Sequence, residues 1–246
     1  MNTLDQLASF YCTDKRSNEH DYVQFYEFYF SRVKQSRISL LEIGILEHPD
    51  KINRPYGAAS LKMWADYFPN AEIHGIDISD LRHNQSDRIK IYVCDQSDNE
   101  KLTNIFESNN LRPNIIIDDG SHKIHHQQST LATLFKYLAP GGIYVIEDIV
   151  QFNLKRNLES QLVVSRAEFH DNKEGIPLGF TSFNRSMEEL QCTSISMLMD
   201  FCINKKINSP FITSDDARYL EEQIDFCNIH PSKIFNMHIA FLRKKL

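Results

Sequence analysis

Five short apolar runs, each with an acid at or near its end, constrain this chain more than any other feature. They are ISLLEIGI (Ile38 to Ile45), EIHGIDI (Glu72 to Ile78), IKIYVCD (Ile89 to Asp95), NIIIDDG (Asn114 to Gly120) and IYVIED (Ile143 to Asp148). Continuous rather than alternating hydrophobicity suits strands covered on both faces. Helical spacing separates them. Leu61, Trp64, Ala65 and Phe68 follow the first run, and Ser97-Asp98-Asn99-Glu100 reads as a capping box opening a helix through Phe106. Leu131, Leu134, Phe135 and Leu138 line one side of a helix over His126 to Leu138, which Pro140-Gly141-Gly142 ends. The alternation predicts an α/β fold built on a doubly wound, mostly parallel sheet.

The tail differs. Met187 to Ile203 reads as a helix, and IDFCNI and KIFNMHIAFLRKK read as two strands joined at His230-Pro231-Ser232. Such a hairpin predicts seven strands, closed by antiparallel pairing, as in Rossmann-like methyltransferase sheets rather than plain dinucleotide-binding ones. At 246 residues the chain suits a single domain, 1–246. Residues 1–36 read as a helical leader, and 150–186 as a polar insertion, either a lid over a site or a surface excursion. The net charge of −6 argues against a nucleic-acid partner. Five scattered cysteines without a CxxC pair suit a reducing cytoplasm. No apolar run reaches membrane-span length, and MNTLDQLASFYCTDK is unlike a signal peptide. Assembly into a homo-oligomer is left open.

Ligands of such sheets sit beyond the carboxyl ends of the strands, at the switch point. Glu42 and Gly44 fall there after strand one, and glycine lets the backbone pass close to a ligand. Asp77 ends strand two, where a carboxylate can accept ribose hydroxyls, and Asp95-Gln96 ends strand three, within reach of an adenine edge. Tyr56-Gly57-Ala58-Ala59-Ser60 feeds the first sheet helix, whose N-terminus offers free N–H groups. No GxGxxG supplies a pyrophosphate turn, so an NAD-dependent oxidoreductase is disfavoured. S-adenosylmethionine (SAM) has no pyrophosphate and carries a sulfonium cation, which suits the acids.

Asp118-Asp119-Gly120-Ser121-His122 leaves strand four and Glu147-Asp148 leaves strand five. If these strands pair, about 4.8 Å apart, Asp119, Glu147 and Asp148 can converge. Clustered carboxylates repel unless a cation lies among them. All-oxygen ligands point to a hard ion, Mg²⁺ first, with Ca²⁺ and Mn²⁺ as alternatives. His122, three residues after Asp119, suits a general base. The plainer reading is that Asp119 or Ser121 caps the next helix, with His125 and His126 as surface or packing residues.

LEIGI with GAASLKMW, then HGIDI, CDQSD, IIIDDGSH and GGIYVIEDI, resembles the class I SAM-dependent sugar O-methyltransferases of the macrocin and mycinamicin type. CTDKRSNEHDYVQFYEFYF resembles that family's leader, which runs TDK, His-x-Tyr, Tyr. The resemblance implies Asp119, Glu147 and Asp148 as metal ligands, His122 as base, and Glu42, Gly44, Asp77, Asp95 and Gln96 in the SAM-binding motifs. Gly57-Ala58 stands where many relatives carry Gly-Gly, and Cys94 where they often carry Gly. The expected reaction is metal-dependent methyl transfer to a sugar hydroxyl, the substrate being a small-molecule sugar, nucleotide-linked or of a cell-surface polysaccharide. The alternatives are a phenolic, amine or phosphate metabolite as acceptor, or a non-catalytic SAM-binding protein.

Overall fold

The computed structural model describes residues 2–46, 57–150, 192–234 and 237–246. Its centre is a seven-stranded sheet in the order β3-β2-β1-β4-β5-β7-β6. The parallel strands are β1 (Ser39–Ile43), β2 (Glu72–Asp77), β3 (Ile89–Val93), β4 (Ile115–Asp118) and β5 (Ile143–Val150). β6 (Ile224–Pro231) and β7 (Met237–Lys244) pair antiparallel, with β7 lying between β5 and β6.

Side chains alternate across each strand, so every strand feeds two cores. Leu40, Ile73, Ile115, Val145 and Phe241 face α3 (Ala59–Tyr67) and the leader helices α1 (Leu4–Tyr11) and α2 (Val23–Phe30). Leu41, Ile43, Ile116, Tyr144 and Ile146 belong to the other core. That core is shared with α4 (Asn99–Ser108), α5 (Ile124–Leu134), α6 (Ser194–Asn204) and α7 (Ser214–Gln223). Two covered faces explain why the strands read as continuous apolar runs.

Local chemistry departs from expectation at four places. Asp98 alone caps α4, accepting from Lys101 N at 2.9 Å, while the Ser97 hydroxyl turns back to Asp95, so the predicted capping box does not form. α5 begins at Ile124 and tightens into a 3₁₀ turn over Phe135–Tyr137. The C-terminal hairpin turns later than His230-Pro231-Ser232, because Pro231 stays in β6, paired with His238. β6 is an edge strand, where a missing N–H costs no ladder bond. α6 starts at Ser194; the remainder of the predicted Met187 start, and the predicted lid beyond Val150, lie outside the described residues.

β1 lies between β2 and β4, so the chain reverses its direction of travel across the sheet there. The exits of β1 and β4 touch at this switch point. Asp119 N donates to Ile43 O at 3.0 Å, and Gly44, at φ +81°, passes so close that a Cβ would stand 2.0 Å from Asp119 O. β5 carries one extra residue against β7: Ile146 pairs with Ala240 but Ile149 with His238. Asp148 takes up this bulge in the left-handed region, φ 52°. In a regular strand, Glu147 and Asp148 would point to opposite faces; the bulge re-aims them.

Candidate active site

The predicted donor-binding residues line the carboxyl ends of β1 to β3. Asp77 ties the β1 exit to β2, Oδ2 accepting from Ile45 N at 3.0 Å and Oδ1 from Ser79 N at 2.8 Å. Asp95 accepts from Ser97 N and Oγ, both at 2.8 Å, and these bonds hold its carboxyl below the usual range. Gln96 does not point outward to an adenine edge. It is buried, donates to Asp118 Oδ1 at 2.5 Å and accepts from Ser121 N at 2.9 Å, bracing the β4 exit. Gly44 likewise makes room for the Asp119 main chain. Ser60, in the first turn of α3, faces Glu42. Glu42 is fully buried, with Lys15 Nζ 3.4 Å from its Oε1. The Tyr56 end of the predicted loop lies outside the described residues.

The acids of β4 and β5 converge. Asp119 and Glu147 both bind the ammonium of Lys15, at 2.5 and 2.9 Å, with Glu42 at 3.4 Å. Asp148 Oδ1 accepts from Tyr22 O–H at 2.7 Å, and His20 Nδ1 lies 3.3 Å from it. Tyr26 O–H donates to Glu147. His122 stands between the two strand ends, Nε2 3.1 Å from Asp119 Oδ1 and Nδ1 3.6 Å from Asp148 Oδ2. Its backbone is left-handed, φ 56°, which for a non-glycine residue costs roughly 1 kcal/mol and here turns the ring back over the acids. Ser121 Oγ meets His126 Nδ1 at 2.7 Å, so His126 is a packing partner of the loop; neither Asp119 nor Ser121 is the N-cap of α5, a position held by Lys123.

The charges do not balance. Glu42, Asp118, Asp119, Glu147 and Asp148 lie within this strand-end region with one lysine and two histidines, His20 and His122. Burial pushes Glu42 and Asp118 each up to about 7 and also raises Glu147 and Asp148. Asp119 alone is held low, at about 2: burial opposes this, and Lys15 and His122 outweigh it. Carboxylates raised by burial and mutual repulsion, more of them than the one ammonium among them can match, are a donor set that fits an added hard cation. Two trios of side-chain ligand atoms lie close enough to share one ion: Asp119 with His122 and Asp148, and Glu42 with Asp119 and Glu147. Asp119 is common to both, and the expected trio of Asp119, Glu147 and Asp148 straddles them.

Lys15, Tyr22 and Tyr26 were not assigned a role from sequence, although they sit inside the CTDK and HDYVQFY segments. The available signal was local: Tyr22 and Tyr26 are four residues apart, hence on one side of α2. Both are buried with their hydroxyls on acids, which places them between core and site.

No family model matches the chain. Mycinamicin VI 2''-O-methyltransferase of Micromonospora griseorubida is 38% identical over 149 residues, covering 59% of this chain and 36% of that protein. Demethylmacrocin O-methyltransferase of Streptomyces fradiae is 37% identical over 149 residues, with the same two coverages of 59% and 36%. A methyltransferase of the mycinamycin biosynthetic pathway, solved with Mg, S-adenosylhomocysteine and mycinamycin VI, superposes with a TM-score of 0.69 at 26% identity, covering 99% of this chain and 55% of that one. The chain thus spans about a third of the curated relatives' length and about half of the solved one's. It carries the class I methyltransferase fold and is similar, through the core of its sheet, to sugar O-methyltransferases of the macrocin and mycinamicin type.

Proposed function

We propose that this chain transfers a methyl group from SAM to a sugar hydroxyl of a glycoside, with a divalent cation, Mg²⁺ first, held by Asp119, Glu147 and Asp148. The observation that carries this reading is the gathering of those acids and His122 at one sheet edge, beside strand ends suited to a nucleoside. Glu42, Gly44, Ser60, Asp77, Asp95 and Gln96 form the donor side, Asp77 and Gln96 by fixing the loops that enclose it. A divalent ion there lowers the pKa of a coordinated hydroxyl.

His122 is the proposed general base. Burial disfavours its charged form, but Asp148 and Asp119 outweigh burial and push the imidazole up to about 10. A group so basic keeps its proton near neutral pH. The base role therefore depends on a cation drawing off the charge of those two carboxylates, which ties the metal and the base into one device. Tyr22 and Tyr26 hold Asp148 and Glu147 in place by donating to them. Positioning donor and acceptor in line supplies much of the remaining acceleration.

A nucleotide-linked or polysaccharide acceptor finds no support among the relatives. One of them is named 8-demethyl-8-(2-methoxy-alpha-L-rhamnosyl)-tetracenomycin-C 3'-O-methyltransferase, so its sugar is attached to a larger scaffold. Radiolabelled methyl transfer from SAM should therefore be assayed against rhamnosyl glycosides, sugar nucleotides and catechols, with and without EDTA. The glycosides should be methylated, and EDTA should stop the reaction. His122→Ala should lower turnover by roughly 10²–10⁴-fold while SAM affinity stays within a factor of about two. Undiminished turnover in demetallated protein, or in that variant, would refute the assignment.

A further inference from the structure

Asp119 belongs to two ligand trios, and either alone would attract a divalent ion. The Glu42 side already holds a cation. Lys15 Nζ stands 2.5 Å from Asp119 Oδ2, 2.9 Å from Glu147 Oε1 and 3.4 Å from Glu42 Oε1, on a side chain 1% exposed. Its three N–H donors face three carboxylates. The turn that delivers it is pinned on both sides: Thr13 N donates to Ala8 O, His20 N to Asp14 O, and Val23 N to Lys15 O. The leader therefore inserts this ammonium at a fixed place.

We infer that Lys15 is a built-in monovalent cation that fills the Glu42 trio and confines the divalent ion to the side of Asp119, His122 and Asp148. The inference rests on the metal reading above and adds to it which of two sites the ion takes, and why. Along the sheet order, Glu42 stands at the end of β1, Asp119 after β4 and Asp148 on β5. An ion drawn toward Glu42 would sit on the proposed donor side, away from His122. A lysine there keeps the donor side free of a second divalent ion. Asp119 and Glu147 remain able to serve both cations, since a carboxylate offers about four lone-pair positions. Lys15 touches no reacting atom in this scheme; it is a positioning residue.

The test is metal stoichiometry and location, using Mn²⁺ as the probe. The wild-type chain should bind one Mn²⁺, and its anomalous peak in a soaked crystal should lie by Asp119 and Asp148 with Lys15 still on Glu42. Lys15→Met should bind two, and Lys15→Met combined with Glu42→Gln should return to one. A wild-type peak within ligand distance of Glu42 would overturn the inference, as would a single, equally tight Mn²⁺ in Lys15→Met. Should Lys15→Met fold only in the presence of Mn²⁺, the divalent ion has replaced the ammonium, which supports the proposal. Should it not fold at all, the position of the wild-type peak decides. If wild-type protein binds no Mn²⁺, the metal reading fails separately, and the gain of one ion or none by Lys15→Met still decides the role of Lys15.

Discussion

Gly44 shows how a single position can matter for a reason other than the expected one. At φ +81° and with a prospective Cβ 2.0 Å from Asp119 O, it is the only residue type that lets the β1 and β4 exits cross. Gly44→Ala should cost about 2–4 kcal/mol from the clash and the left-handed backbone together. Gly57→Ala is the control, because the atoms nearest an added Cβ there belong to the Asn84 side-chain amide and not to backbone. Thermal unfolding of both variants checks the ranking, and equal melting temperatures would remove the argument. In the sequence Gly44 was legible as a special position, but not its neighbour. Seventy-five residues separate Gly44 from Asp119, and no local pattern announces that their backbones meet. Gln96 is a parallel case: its place after β3 was readable, while its inward turn onto Asp118 depends on the packing of a later strand.

At the scale of elements, the strands that continuous apolar runs mark and the helices that a period of 3.6 marks were legible, and the features fixed by pairing were not. The β5 bulge is a case in point. Convergence of Asp119, Glu147 and Asp148 was expected from the pairing of strands four and five, yet neighbours in a regular strand face opposite ways; one extra residue in β5 re-aims Glu147 and Asp148, and nothing in IYVIEDIV marks it. The leader is another. Its motif was visible, but its docking onto the acids comes from aromatic packing: Tyr26 lies edge-on to Trp64 at 5.0 Å and to Phe241 at 5.6 Å, with Phe30 beside it at 5.3 Å. Phe30 is fully buried, so Phe30→Ala should cost about 3–5 kcal/mol. Because α2 carries Tyr26, and Tyr22 precedes it, the same variant should also weaken Mn²⁺ binding measured by calorimetry, although Phe30 touches no acid. Loss of stability with unchanged Mn²⁺ affinity would show that the leader does not organise the site.

Across the whole molecule, the acid cluster is where the separate pieces of chain are joined. β1, the β4 exit, β5 and the leader each bring charged or hydroxyl groups to it, and the acids among them are mostly raised by burial. A cation bound there lowers the energy of the native arrangement and has no equivalent site in the unfolded chain. By mass action, Mg²⁺ at about 100 times its Kd should add about 2.7 kcal/mol of stability. For a chain of this size that corresponds to a rise in melting temperature of roughly 5–10 °C. Asp148→Asn should abolish most of this rise, since it removes the charge of a proposed ligand, whereas His122→Ala, which removes the proposed base and no proposed ligand, should keep it. That split separates binding from chemistry: a variant that loses turnover but keeps the Mg²⁺-dependent rise has lost the base and not the ion. If instead Mg²⁺ leaves the melting temperature of wild-type protein unchanged and EDTA does not lower it, the five acids are held by Lys15, Gln96, the tyrosines and the histidines without an ion, and methyl transfer by this chain would have to proceed without a metal.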